Sequence, residues 1–450
     1  MKSKLSLWFI LLFELQIMNI YASNNDLVTE NNIWLTTVDM EGMGEVNFYM
    51  QTEISDSCLI LKSPKDRDKV IFGNTKARLF RLFQKRENKN SMIVCQLVEN
   101  GKLDFLFLKM AVKDIEGIST DTIKCTIYDI KSEKQIGKLT AIKTHLSKYQ
   151  LTPLIDYKQL SDSIVSITEE KIYNPQLVRS KKWRQFVQEL SSKSRAVYDD
   201  VEFLVLFYSN MSKVKFSHYS LLKTNIDLER TLDEPQIECE VMKDKVVYMN
   251  IKSLSGRTEE IDSIFTEYKN YLAYIIDLRS TPGGKFDTTY RLASYLSQGN
   301  RDAGMFVCKP YYEDKEHFSN KDNFYTLQEK DFSNFSLVLE KKQVVSIKFE
   351  TESPIESNIY ILTSKNTASA CEPLVYGLKG LENVLVVGEK TAGEMLSPTI
   401  FPVVSNFHLI VPTADYLTNQ WESIEGIGIQ PDIKVKAEKA LSLVLEKLCK

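Results

Sequence analysis

The C-terminal half of the sequence predicts an α/β domain on a largely parallel sheet, preceded by a helical segment and, before that, by an antiparallel β domain. Three observations predict it. Short alternating or apolar runs separated by Asn, Asp, Gly, Lys and Ser clusters fill residues 31–151. Apolar residues at helical spacing fill residues 160–207, and from Val246 onward strand-like and helix-like runs alternate to the end. At 450 residues the chain exceeds what one hydrophobic core supports, so about two or three domains are expected, and 43% apolar residues can fill them.

The N-terminus reads Met-Lys-Ser-Lys, then apolar Leu5 to Phe13, then Glu14 and Gln16, then Ile20-Tyr21-Ala22-Ser23. That order predicts a secretory signal peptide over residues 1–22. The run is shorter than the roughly 20 apolar residues that cross a bilayer, and no later stretch is longer. The expected mature protein is therefore soluble and exported, periplasmic or extracellular.

In residues 30–152 the runs Ile33–Val38, Glu45–Met50, Leu103–Met110 and Ile123–Ile130 predict an antiparallel barrel or sandwich of about seven to nine strands. His145 is the only histidine before residue 218, and no chemistry is assigned to this domain. Residues 155–225 predict two or three helices, with Trp183, Phe186 and Leu190 along one face. Residues 226–450 then read as strand Val246–Ile251, helix Thr258–Tyr271, strand Ala273–Leu278 and helix Thr288–Leu296. Strand Ile359–Thr363, helix Ala370–Leu381 and strand Val384–Val387 follow. Residues 304–349 are charged and read as an irregular insertion.

A formal charge of −3 with 26% charged residues lacks the basic excess that nucleic acid binding requires. Seven scattered cysteines show no paired metal-ligand spacing, so neither a disulfide framework, a metal site nor a cofactor is expected.

Two segments carry chemistry. In Ile275-Ile276-Asp277-Leu278-Arg279-Ser280-Thr281-Pro282-Gly283-Gly284 a buried strand ends in a turn whose glycines can aim N–H groups at a ligand. In Thr367-Ala368-Ser369-Ala370-Cys371-Glu372 a serine lies between a strand and a helix whose N-terminal amides suit a developing oxyanion. Read alone, Ser369 is equally a helix cap, and Cys371 is a rival nucleophile or a small core residue.

These segments, followed by Val387-Gly388-Glu389-Lys390-Thr391-Ala392-Gly393 and Glu425-Gly426-Ile427-Gly428-Ile429-Gln430-Pro431-Asp432, resemble the tail-specific, or C-terminal-processing, serine peptidase family over roughly residues 210–450. The resemblance implies a crotonase-like fold and cleavage of unfolded or extended protein substrates through an acyl-enzyme. The family's common base is a lysine 25 residues after the nucleophile, where this chain has Glu394. Lys365 and Lys390 lie nearby but off the motif. A second branch, similar to the tricorn protease, uses a histidine preceded by a serine, and Phe216-Ser217-His218-Tyr219 fits it.

In that branch the implied roles are Ser369 as nucleophile and His218 as base, with Ser217 and Glu425 holding the base. Ala370 and either Gly283 or Gly284 supply oxyanion amides. A serine hydroxyl is a poor nucleophile until an imidazole takes its proton, and the imidazole needs an orienting acceptor. Only Lys223 to Lys245 separates the His segment from the next strand, too little for the PDZ module of many relatives. The alternatives are a non-catalytic binding protein on the same scaffold, holding a peptide or lipophilic ligand, and a β domain that docks a partner beside a vestigial core.

Overall fold

The computed structural model describes residues 32–449 apart from 41–43, 56–57, 65–66, 68–80, 86–91, 97–106, 117–120, 130–133, 215, 225–233, 243–244, 319–323 and 352–353. The signal sequence expected over residues 1–22 lies outside the described residues.

The N-terminal strands are β1 (Ile33–Met40), β2 (Gly44–Ser55), β3 (Cys58–Lys62), β4 (Arg81–Lys85), β5 (Met92–Gln96), β6 (Phe107–Glu116), β7 (Thr122–Asp129) and β8 (Gln135–Lys143). All eight lie in one antiparallel sheet in the order β4-β3-β2-β1-β8-β7-β6-β5. Strand alternation sends one set of side chains inward. Trp34 pairs with Met50 and Thr36 with Phe48, and all four are buried.

Four helices follow: α1 (Tyr157–Lys171), α2 (Pro175–Val178), α3 (Lys181–Ser194) and α4 (Asp200–Asn210). Each begins where a side-chain oxygen accepts an orphan N–H of the first turn, from Asp156, Asn174, Ser180 and Asp199 respectively. The count exceeds the sequence reading because Asn174-Pro175 opens a separate one-turn helix. Trp183, Phe186 and Leu190 form the buried face of α3 and join one core with Trp34, Phe48, Met50 and the later Leu409 and Val411.

Two six-stranded sheets organise the remainder. The first runs β10 (Ile237–Met242), β11 (Val246–Ile251), β12 (Ala273–Asp277), β16 (Asn358–Thr363), β17 (Val384–Gly388) and β20 (Ile433–Lys434), parallel except for the β10/β11 pair. Helix α10 (Ala437–Leu448) covers one face through Ala440 and Val444. The other face shares a core with α5 (Thr258–Glu267), α6 (Phe286–Leu296), α9 (Cys371–Leu378) and the second sheet. Every residue of β12 is buried, as a strand covered on both faces requires.

The second sheet comprises β13 (Arg301–Cys308), β14 (Tyr325–Thr326), β15 (Val344–Phe349), β18 (Ser397–Pro402) and β19 (Phe407–Leu417) in the order β14-β15-β13-β19-β18, with β9 (Ser220–Lys223) pairing β19. Residues 304–349 are therefore not an irregular insertion. Met305-Phe306-Val307 and Val344-Val345 are buried strand runs, and the charges that dominate the segment sit mainly between them, on α7 (Lys309–Glu313), α8 (Phe335–Lys342) and their connections.

A buried polar junction anchors β9. The Asp200 carboxylate accepts the N–H of Asn47 on β2 at 2.7 Å, the Tyr157 hydroxyl of α1 at 2.8 Å and Lys223 Nζ of β9 at 2.5 Å. Lys223 ends the strand that begins two residues after His218, so this junction bears on the site's geometry.

Candidate active site

Ser369 lies in the turn that joins β16 to α9. That turn is bolted to the one after β12: Thr367 Oγ1 donates to the Leu278 carbonyl at 2.7 Å, and the Ala368 N–H donates to Thr281 at 3.3 Å. Ser369 has φ 53°, a left-handed conformation that costs a non-glycine residue about 1–3 kcal/mol and clusters at functional sites. It does not cap the helix. Ala370 occupies the N-cap, with no side-chain capping bond, and the Ser369 hydroxyl instead meets His218 Nε2 at 3.3 Å.

His218 also has a positive φ, 53°. Its Nδ1 is 2.8 Å from Ser217 Oγ, and Ser217 Oγ donates to Glu425 Oε2 at 3.1 Å while the Ser217 N–H donates to Oε1 at 2.9 Å. The Met395 N–H supplies a third donor to Glu425, at 3.1 Å. Ser369, His218, Ser217 and Glu425 thus form one hydrogen-bonded chain across sequence separations of 151 and 208 residues. The next residue, Tyr219, fixes the approach: its hydroxyl is 2.8 Å from Thr168 Oγ1 of α1, and its ring meets Phe216 edge-on.

The paired glycines differ in surroundings. A Cβ on Gly283, at φ 104°, would stand 2.6 Å from Ser369 Cβ and 3.0 Å from the Ala370 nitrogen, so only glycine lets this turn press against the serine. A Cβ on Gly284 would instead strike the Leu254 backbone, to which the adjoining Gly283 carbonyl and Lys285 N–H are hydrogen-bonded.

Glu394 contributes through its backbone. Its carbonyl accepts the Ser369 N–H at 3.0 Å, and its N–H donates to Glu372 Oε2 at 2.8 Å. Glu372 is fully buried and also accepts from Thr391 Oγ1 at 2.6 Å and the Gly393 N–H at 2.8 Å. It therefore clamps the loop that carries both Glu394 and Met395 against the serine and Glu425. No sequence motif gives Glu372 a role. Its one signal was an acid in the first turn of an otherwise apolar helix, Cys-Glu-Pro-Leu-Val-Tyr-Gly-Leu.

Burial governs the electrostatics. It lowers His218 to about 4, so the imidazole is neutral and free to accept a proton through the neutral range. Burial also pushes Glu425 up to about 7, partly offset by its donors, and raises Glu372. Cys371 is fully buried and its thiol is shifted upward by burial, which disfavours the thiolate that a nucleophilic cysteine needs. Among the described residues no group of three or more His, Cys, Asp or Glu could hold a metal, and no helix is long and apolar enough to cross a membrane.

These shifts predict a stability signature. Glu425 binds its proton more tightly folded than unfolded, so ionising it costs stability as pH rises from about 4.5 to about 7. His218 acts oppositely over about 4 to 6.5, because its folded pKa is depressed, so a difference measurement is needed. The Tm of Glu425→Gln relative to wild type is expected to increase between about pH 5 and pH 8. A difference that is flat or falls over that interval would show that Glu425 ionises without strain.

Residues 245–435 match peptidase family S41. The chain is 26% identical over 220 residues to a carboxy-terminal processing protease of Bacillus subtilis, covering 47% of this chain and 40% of that protein. It is 26% identical over 188 residues to a chloroplastic carboxyl-terminal-processing peptidase of Arabidopsis thaliana, covering 42% of this chain and 30% of that protein. The chain spans less than half the length of these curated relatives. Among solved structures, a lipoprotein from Streptococcus agalactiae aligns with a TM-score of 0.49 and 21% identity, over 68% of this chain and 99% of that one.

Proposed function

We propose that this chain, which carries a peptidase family S41 domain over residues 245–435, is a serine peptidase in which a histidine rather than a lysine activates the nucleophile. The hydrogen-bonded chain from Ser369 through His218 and Ser217 to Glu425 carries this reading.

As the Ser369 hydroxyl attacks a peptide carbonyl, its proton passes to His218 Nε2. Nδ1–H donates to Ser217 Oγ, which donates to Glu425, so the carboxylate steadies the imidazolium through one hydroxyl. The Ala370 N–H and a glycine N–H, from Gly283 or Gly284, receive the developing oxyanion, each donor worth roughly 2.7–4 kcal/mol. The imidazolium then protonates the leaving amine. Water, deprotonated by the same imidazole, releases the acyl group from Ser369.

Glu394 stands where the family's lysine is expected and offers no cation. The substrates are unfolded or extended protein segments, and the enzyme works after export, the place implied by residues 1–22.

Treatment with a fluorophosphonate serine probe is expected to label Ser369 and no other residue. A purified, folded protein that resists the probe would favour the binding-protein alternative.

Ser217 and Glu425 act here as one unit on His218. Each of Ser217→Ala and Glu425→Gln is expected to lower kcat/KM by less than Ser369→Ala, and the double variant should lose much less than the product of the two single losses. Strictly multiplicative losses would show that Glu425 and Ser217 act independently and that Glu425 does not orient His218 through Ser217.

A further inference from the structure

Behind the partly buried Glu425 lies a fully buried acid. Asp415, on β19, is 2% exposed. Its Oδ1 accepts the Ser423 hydroxyl at 3.1 Å, and its Oδ2 accepts the hydroxyl of Tyr312 on α7. Ser423 Oγ in turn accepts the Glu425 N–H at 3.3 Å. A backbone bridge between Leu417 and Ser423 holds the turn against the end of β19, so the spacing of the two acids is set by main chain as well as side chain.

We infer that Asp415 is a positioning residue of this site, fixing Glu425 through Ser423 and setting the electrostatic field in which Glu425 ionises. The inference rests on the role given above to Glu425.

The surroundings support it. Tyr173, which follows α1, feels both carboxyls, and its ring meets that of Tyr312 edge-on at 5.4 Å. Tyr311 and Tyr312 approach from α7. The cation acting on Asp415 is Lys315, an exposed residue whose Nζ stands over the rings of Tyr311 and Tyr312. Ser217 and Met395 donate to Glu425 from the opposite side, with His218 beyond Ser217.

The Ser423 hydroxyl links the Asp415 carboxylate to the Glu425 backbone N–H, and the two carboxylates repel each other when both are ionised. Asp415 accordingly raises the affinity of Glu425 for its proton. An amide at 415 offers one acceptor oxygen to the two hydroxyls that donate to the carboxylate, so Asp415→Asn removes the charge together with at most one of these bonds, and Ser423→Ala tests the bond by itself. The wall that supports Tyr312 comes from residues 304–349, which ties this segment to the chemistry.

The test compares rates of fluorophosphonate labelling at about pH 6.5 and about pH 8 for wild type, Asp415→Asn and Ser423→Ala. Burial pushes Asp415 itself up to about 6, so it is charged at about pH 6.5 while Glu425 is still partly protonated. Asp415→Asn removes that charge, and the labelling rate at about pH 6.5 relative to about pH 8 is expected to rise about two- to threefold. Ser423→Ala removes the link and keeps the charge. Its labelling is expected to fall about tenfold at both pH values with the ratio unchanged.

A folded Asp415→Asn with the wild-type ratio overturns the inference, because a purely structural role would not move it. If Asp415→Asn does not fold, wild-type labelling of Ser423→Ala overturns it instead. A wild-type protein that is not labelled at Ser369 removes the peptidase reading itself, and the inference falls with it. Labelled wild type with unmoved variants removes the inference alone.

Discussion

Ser369→Ala is expected to lower kcat/KM on a denatured protein substrate by roughly 10⁴- to 10⁶-fold and to abolish fluorophosphonate labelling, with thermal unfolding close to that of the wild type. The size follows from deleting the only atom that forms the acyl bond. The intact fold follows from what the side chain does not do: Ser369 caps no helix, its N–H bond to Glu394 is backbone and survives the change, and alanine bears the φ of 53° at a cost similar to serine's. Cys371 provides no detour, because its thiol is buried and shifted away from ionisation. Retained hydrolysis by a folded Ser369→Ala protein would sink the peptidase reading.

His218→Ala is expected to cost nearly as much, because without a proton acceptor the hydroxyl is unactivated, whereas Lys390→Ala should stay within about twofold of wild type. The pH profile separates the groups. From sequence alone an imidazole base implies a limb at an apparent pKa of about 6 to 7.5. In the structure burial has already made His218 neutral above about 4, so the limb near neutrality belongs to Glu425. Activity requires its ionised form and should be lost as pH falls through about 7. Glu425→Gln should therefore give a lower, flatter profile over this range. If that limb survives the substitution unchanged, the imidazole sets it. If His218→Ala is active and Lys390→Ala is not, a serine–lysine pair replaces the whole scheme.

Much of the secondary structure was legible because burial on both faces leaves a plain record. Ala273–Asp277 and Ile359–Thr363 are short apolar runs bounded by turn residues, and both are central strands of the parallel part of the sheet. The helix after Ser369 was legible from its apolar run, although it ends at Leu378 rather than Leu381. Where charge is dense the record misled. Residues 304–349 carry strands of only two to eight residues separated by charged helices and turns, so the average over the segment hid β13 and β15.

The residue types at the site were also visible in the chain: a serine between strand and helix, a Ser-His pair, a glycine turn and a Glu-Gly turn. A tight turn pressed against its neighbours admits only glycine, as at Gly283, whereas Ser369 and His218 hold a positive φ against their local preference, which marks them as residues kept for another reason. What only the tertiary structure decided is how these segments meet. The pairing of β9 with β19 carries His218 to Ser369, the Glu372 clamp carries Met395 to Glu425, and β19 sets Asp415 behind Ser423. Periodicity reports which face of a strand is buried and says nothing of which strand lies beside it. The pKa values of His218 and Glu425 belong to that second kind of information, because desolvation arises from neighbours that are hundreds of residues away in sequence and a few ångströms away in space.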